Sequence, residues 1–276
     1  MRLIDSHQHF WRYSPEEYEW IDESMSRLRA DFLPKDLAPE MASACVDACV
    51  AVQARQTLEE TEWLLDLAKT SPFIAGIVGW APIAAPEFPE ILSRIGANHK
   101  LKGMRHVVQA EPDVRFLLQP AFREGIREIT RAGLVYDILI LPHQLPQTIE
   151  FVDEHPQQSF VLDHAAKPPL RSGDLGEWER DFRELARREN VCCKLSGLVT
   201  EAEWTTWTEE SLRRVFDLML QVFTPHRMMA GSDWPVCTVA VSYGDWWSLL
   251  RRWMTELSRA EQGVVLAGTA ERIYKL

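Results

Sequence analysis

The run Leu134-Val135-Tyr136-Asp137-Ile138-Leu139-Ile140-Leu141, closed by Pro142-His143, is the most apolar strand-length stretch in the chain. Near-continuous apolar character over a strand's length suits a strand buried on both faces. Such strands belong to parallel sheets covered by helices, not to half-exposed antiparallel sheets. The same unit recurs on either side of it. Upstream, Ala48–Val52, Ile74–Val78 and Leu101–Met104 read as strands. They are followed by a helix that Thr57-x-x-Glu60 caps, a helix from Pro86 to about Ala97, and a longer helix with Leu118, Phe122, Ile126 and Ile129 on one face and Gly133 as its stop. Downstream come a helix to about His155, the strand Ser159–Leu162, and a helix opened by Asp174-x-x-Glu177. Val191–Leu195 is the next strand, and Leu212, Val215, Phe216 and Met219 form the apolar stripe of its helix. Met228–Gly231 is a short strand, followed by a helix over about 241–257, a cap at Ser258-x-x-Glu261 and a last helix in 267–276. With Leu3-Ile4 at the start, strands fall near residues 4, 50, 76, 103, 138, 161, 193 and 229. Eight strand–helix units predict a (β/α)8 TIM-type barrel in the α/β class, with residues 1–276 as a single domain. No G-x-G-x-x-G follows the first strand, which weakens the dinucleotide-binding alternative.

Composition narrows the function. A net charge of −11 argues against nucleic acid and favours a neutral small molecule. Five cysteines without a C-x-x-C pair indicate buried thiols in a reducing compartment. The start lacks a secretory apolar core, and no run is long and apolar enough to span a membrane, so the expectation is a cytoplasmic protein without membrane partners. Whether it forms a homo-oligomer is left open. The polar, aromatic stretch from Phe10 to about Pro34 reads as a lid or wall over a site.

Barrel enzymes build their sites at the C-terminal ends of the strands. Here that rule gathers scattered polar residues around one mouth: His7 and His9, Gln53, Trp80, Arg105 and His106, His143, His164, Ser196 and Asp233. His7 and His9, one residue apart, point to the same side of a strand. Gln53, Arg105, His106 and His143 read as substrate contacts, Trp80 and Trp234 as walls, and Ser196 as structural, since no G-x-S-x-G elbow surrounds it. His99, His155 and His226 read as surface residues.

Asp163-His164 after the sixth strand and Gly231-Ser232-Asp233-Trp234-Pro235 after the eighth, with the first-strand His-x-His, resemble the amidohydrolase superfamily. More narrowly, Asp5-Ser6-His7-Gln8-His9-Phe10-Trp11, Lys102-Gly103-Met104-Arg105-His106-Val107, Leu162-Asp163-His164-Ala165-Ala166-Lys167-Pro168 and Gly268-Thr269-Ala270-Glu271-Arg272-Ile273-Tyr274 look like the branch of sugar-lactone hydrolases, the fuconolactonase and rhamnonolactonase type. The resemblance implies hydrolysis of an aldonolactone in carbohydrate catabolism, with Asp233 as general base and acid and His7, His9 and His164 shaping the carbonyl or metal site. It implies His7, His9, His164 and Asp233 as ligands of one divalent ion such as zinc, bound without being required. The binuclear pattern is not matched: the fourth strand ends Met104-Arg105-His106 with Lys102 too early, and His143 lies beyond Pro142. Two alternatives accompany this reading: a lactonase or nonoxidative decarboxylase for a carboxylated aromatic-degradation intermediate, and a non-catalytic sugar- or metal-binding barrel.

Overall fold

The computed structural model describes residues 1–276. Eight parallel strands stand in sequence order: β1 Ile4–Gln8, β2 Ala48–Val52, β3 Ile74–Gly79, β4 Leu101–His106, β5 Val135–Ile138, β6 Phe160–Leu162, β7 Val191–Leu195 and β8 Met228–Ala230. The helices between and after them are α1 Pro34–Ser43, α2 Leu58–Thr70, α3 Phe88–Gly96, α4 Pro120–Arg131, α5 Leu145–Asp153, α6 Gly176–Leu185, α7 Leu198–Glu201, α8 Glu209–Phe223, α9 Tyr243–Met254, α10 Arg259–Gly263 and α11 Thr269–Tyr274. The ring closes where β1 meets the segment after β8. Gln8 bridges Trp234 in parallel, the His9 amide donates to the Trp234 carbonyl at 2.7 Å, and the Asp233 amide donates to the His7 carbonyl at 2.8 Å. This is the (β/α)8 barrel the alternation predicts.

Two apolar layers follow from strand periodicity. Outward residues such as Cys49, Ile77, Met104, Tyr136, Phe160 and Leu195 pack with the helices in one large core. Inward residues Ile4, Val50, Val52, Val78, Val135, Val161, Cys192 and Met229 fill the barrel with Ala267, Ala270 and Tyr274. The final segment therefore plugs the floor. Lys102 lies at that end, its Nζ donating to the Lys275 carbonyl at 2.8 Å, far from the mouth as its early position in the strand suggests. In β1 the pairing slips: Asp5 faces Cys49, yet Gln8 faces Ala51, so three residue steps on β1 match two on β2. The extra residue reverses the strand's alternation, and both Ile4 and His7 face the interior.

The structure shortens some expected elements. β5 ends at Ile138; Leu139–Leu141 leave the sheet, with Pro142 opening a 3₁₀ turn over Pro142–Gln144. Leu118 belongs to a separate turn, Phe116–Leu118, because Pro120 starts α4 and holds Gln119 extended (ψ 133°). Asp174 and Glu177 form no capping box: α6 begins at Gly176, and the Asp174 carboxylate accepts from the Gly176 amide at 3.2 Å instead. Ser258 and Glu261 do form one. His155 is buried, not on the surface, its Nδ1 2.8 Å from the Phe151 carbonyl and its ring against Phe151. The excursion after β1 folds back through paired Trp11–Phe32 hydrogen bonds of 2.9 Å and carries its own small core of Trp11, Tyr18, Ile21 and Leu28. It lies along the β1–β8 side of the mouth, with Phe32 against Trp234 and Trp11 6.5 Å from His9 between ring centroids.

Candidate active site at the barrel mouth

Four predicted residues converge. The His7 and His9 Nε2 atoms are 3.1 Å apart, and the Asp233 Oδ1 lies 3.7 Å from His7 Nε2, 3.4 Å from His9 Nε2 and 3.9 Å from His164 Nε2. His7 is fully buried, and His9, His164 and Asp233 are each 5% exposed, so the cluster is almost wholly removed from solvent.

Each side chain is aimed by identifiable local structure. His9 Nδ1 is 2.8 Å from the Val52 carbonyl, which only accepts; Nδ1 therefore carries the hydrogen and Nε2 turns its lone pair to the cluster. His164 begins a run of four non-glycine residues in the left-handed region, His164, Ala165, Ala166 and Lys167, with φ between 51° and 57°. Each such residue costs about 1 kcal/mol or more, so the surrounding packing must hold this turn, which leaves the imidazole 4.4 Å from the His7 ring between centroids. Ser196 Oγ sits 2.9 Å from His164 Nδ1. Behind it, a Cβ on Gly197 (φ +67°) would lie 2.4 Å from that same nitrogen, so only glycine leaves room for the ring. Asp233 is also left-handed (φ 60°), just after the point where Asp5 accepts from the Ser232 amide at 2.8 Å and the Ser232 hydroxyl at 2.5 Å.

Burial sets the charges. Burial pushes Asp5 up to about 6. It would push Asp233 up as well, but the three imidazoles outweigh it and hold this carboxyl well below the usual range. His164 is lowered by burial, and His7 lies well below the ordinary imidazole value because burial and the neighbouring Lys194 and His164 outweigh Asp163. The Asp233 carboxyl is thus held ionised, while burial works against charge on His7 and His164.

The remaining predicted residues divide. Arg105 is buried and engaged: it donates to Asp163 Oδ2 at 2.9 Å and to the Gln53 carbonyl and Oε1 at 2.5 and 2.8 Å, with one amino group 3.4 Å from His7 Nε2. It braces Gln53, whose Nε2 is buried without a hydrogen-bond partner in the protein. His106 turns away from the centre, accepting from Trp80 Nε1 at 3.2 Å through Nδ1 and donating to Glu111 at 2.6 Å through Nε2. Trp80 thus pairs with His106, and Trp234 packs under the floor of the excursion against Phe10 and Phe32. His143 is exposed on the 3₁₀ turn after β5, outside the cluster.

Sequence reasoning missed the layer beneath. Lys194 of β7, fully buried, donates to Asp137 Oδ2 at 2.5 Å and approaches His7 Nδ1 at 3.2 Å and Asp163 Oδ1 at 3.0 Å. Tyr274 donates to both Asp137 oxygens at 2.9 and 2.8 Å. The signal was parity: Lys194 and Asp137 sit two residues from Cys192 and Val135, which face the interior, and an inward charge needs a partner. Ser196, read as structural, is the residue that orients His164.

The donor set fits a metal. Ligand atoms of His7, His164 and Asp233 all lie within 4.8 Å of one another. Tetrahedral zinc with bonds of about 2.0–2.1 Å separates its ligands by about 3.3 Å, and imidazole with carboxylate is a common zinc donor set. His9 neighbours two of these three groups.

The family model described as amidohydrolase matches residues 4–276. An L-fucono-1,5-lactonase of Burkholderia multivorans is 43% identical over 284 aligned residues, covering 99% of this chain and 96% of that protein. Crystal structures of a Burkholderia multivorans amidohydrolase, one with bound HEPES and one with bound zinc, are 42% identical over the full length of both chains, with TM-scores of 0.97 and 0.96.

Proposed function

This chain belongs to the amidohydrolase family, and on that premise we propose that it hydrolyses a sugar lactone, a deoxy-sugar aldonolactone such as L-fucono-1,5-lactone, to the aldonic acid in carbohydrate catabolism. Residues 1–276 form the one barrel unit that does so. The observation that carries this reading is the buried Asp233 carboxylate within 3.4–3.9 Å of three imidazole Nε2 atoms. Ester hydrolysis needs a base for the incoming water, donors for the developing oxyanion and a proton for the leaving alkoxide.

Asp233 takes a proton from water, and the resulting hydroxide adds to the lactone carbonyl carbon. Polar hydrogens of the histidine cluster stabilise the alkoxide that forms. Its collapse breaks the ring C–O bond, and the protonated Asp233 returns its proton to the departing ring oxygen. Gln53 Nε2, buried and without a protein partner, donates to a substrate hydroxyl. A divalent ion held by His7, His164 and Asp233 would supply Lewis-acid polarisation of the carbonyl.

A carboxylated aromatic substrate finds less support. It calls for free arginines at the mouth, whereas Arg105 is engaged by Asp163 and Gln53, and Arg55, which follows β2, pairs with Glu17 of the excursion. The deciding experiment is a pH-indicator assay over a panel of aldonolactones beside a pyrone dicarboxylate, with and without chelator. Turnover of L-fucono-1,5-lactone, lost in Asp233→Asn while circular dichroism is unchanged, is the expected result. Activity on the dicarboxylate alone would overturn it.

A further inference from the structure

Strand β7 contributes no side chain to the ring of His7, His9, His164 and Asp233, yet Lys194 near its end and Ser196 just past it each touch one of those histidines from behind. Ser196 meets His164 Nδ1 at 2.9 Å, and Lys194, two residues earlier, meets His7 Nδ1 at 3.2 Å. The two supports differ chemically. A serine hydroxyl donates or accepts, so it leaves His164 free to carry its hydrogen on either nitrogen. An ammonium only donates.

We infer that Lys194 is a positioning residue that holds His7 with its hydrogen on Nε2, so that His7 presents a hydrogen-bond donor to the centre and not a lone pair to a metal. Three further contacts fit this assignment. The other group near His7 Nδ1, the Asp163 Oδ1 at 3.3 Å, lies closer to the Lys194 ammonium, at 3.0 Å, so this carboxylate has the lysine as its partner and does not require a hydrogen from His7. On the far side, His9 Nε2 at 3.1 Å must accept, because His9 Nδ1 donates to the Val52 carbonyl; a hydrogen on His7 Nε2 completes that bond. The lysine cannot swing away, because Asp137 holds it at 2.5 Å and Tyr274 in turn holds Asp137. One contact runs the other way: Arg105 approaches His7 Nε2 at 3.4 Å and also only donates. It is the longer of the competing contacts, and this arginine's shorter bonds go to Asp163 and Gln53.

A metal needs the opposite form. Its histidine ligand offers a bare nitrogen and sends the other ring N–H to a carboxylate, here Asp163. Binding an ion through His7 Nε2 therefore requires the hydrogen to move to Nδ1 and the ammonium contact to break. Lys194 biases the centre toward the donor form, and the metal form is the one it opposes.

The inference rests on reading the cluster as the carbonyl-polarising centre, but its test needs no lactone, so its failure is distinguishable from failure of the lactonase assignment. In metal-free protein labelled with 15N at histidine, two-bond 1H–15N correlations identify which nitrogen of each ring is protonated, and His7→Gln assigns the signal. The expected result is His7 protonated on Nε2 alone; protonation on Nδ1, or on both nitrogens, overturns the proposal. In Lys194→Met, chelator competition should show Zn2+ bound at least tenfold more tightly than in the parent, and metal-free kcat should fall with KM nearly unchanged. Unaltered or weaker zinc binding in the folded variant is the second overturning result. If Lys194→Met does not fold, Lys194→Met combined with Asp137→Asn, which also removes the charge that the ammonium balances, carries the same expectations.

Discussion

The two ends of the barrel solve opposite problems with one alternating pattern. At the floor, the inward positions are Ile4, Val50, Val135, Val161, Cys192 and Met229, packed against Tyr274 and the last helix. At the mouth, the same inward faces carry His7, Arg105, Asp137, Lys194 and, just past the strand ends, His164 and Asp233, nearly all of them removed from water. Apolar burial contributes about 25 cal/mol per Å2 at the floor, whereas each buried charge at the mouth costs several kcal/mol before its partners repay it. Stability is thus concentrated at one end and chemistry at the other, and substitutions should separate the two.

The largest effect is expected from His164→Asn, which should lower turnover about 10²–10⁴-fold and leave the urea midpoint near that of the parent; a parallel loss of stability would show that the mouth also holds the fold together. Met229→Ala should do the reverse, costing about 2–5 kcal/mol in urea denaturation with kcat/KM within about threefold. Glu60, in the first turn of α2, sharpens the contrast as a buried charge outside the ring: its carboxylate accepts the Ala54 and Arg55 amides, and burial pushes it up to about 7. The folded state holds that proton more tightly than the unfolded chain, so the stabilising contribution is complete below about pH 4.5 and is lost as the pH rises to 7. Glu60→Gln should therefore match the parent at pH 4.5 and exceed it by up to about 3 kcal/mol above pH 7, at 1.36 kcal/mol per pH unit; thermal melts across that range check the trend. The smallest effect belongs to Ser196→Ala, which frees His164 Nδ1 and should lower kcat about tenfold while KM holds, since one hydrogen bond is worth about 1 kcal/mol or slightly more.

The same contrast explains what the sequence disclosed. Apolar runs and capping residues gave away all eight strands, because periodicity is a local property. The ring of His7, His9, His164 and Asp233 followed once the barrel rule was applied. Two histidines placed at the mouth by that rule stay outside the ring: His106, the last residue of β4, turns to Trp80 and Glu111, and His143 lies too far along the chain. Ser196, immediately after β7, points at the centre, whereas His143, five residues beyond Ile138, stands on the rim. Lys194 and Asp137 escaped notice because a single charge within an apolar strand does not interrupt its reading as a strand; only pairing across the barrel reveals its purpose. The left-handed turn from His164 to Lys167 was illegible for a deeper reason. Nothing in Ala165-Ala166 favours positive φ, so the conformation is imposed by tertiary packing.

The plugged floor also has a consequence in time. Tyr274, Ala267 and Ala270 leave the ribosome only after all eight strands, so the nascent barrel carries an uncovered apolar base and an Asp137 lacking its phenol partner until the final turn docks. The few seconds between the emergence of β8 and that of Tyr274, at some 5–20 residues per second, are then the window in which this chain is most exposed to aggregation, and the period in which a chaperone's grip matters most.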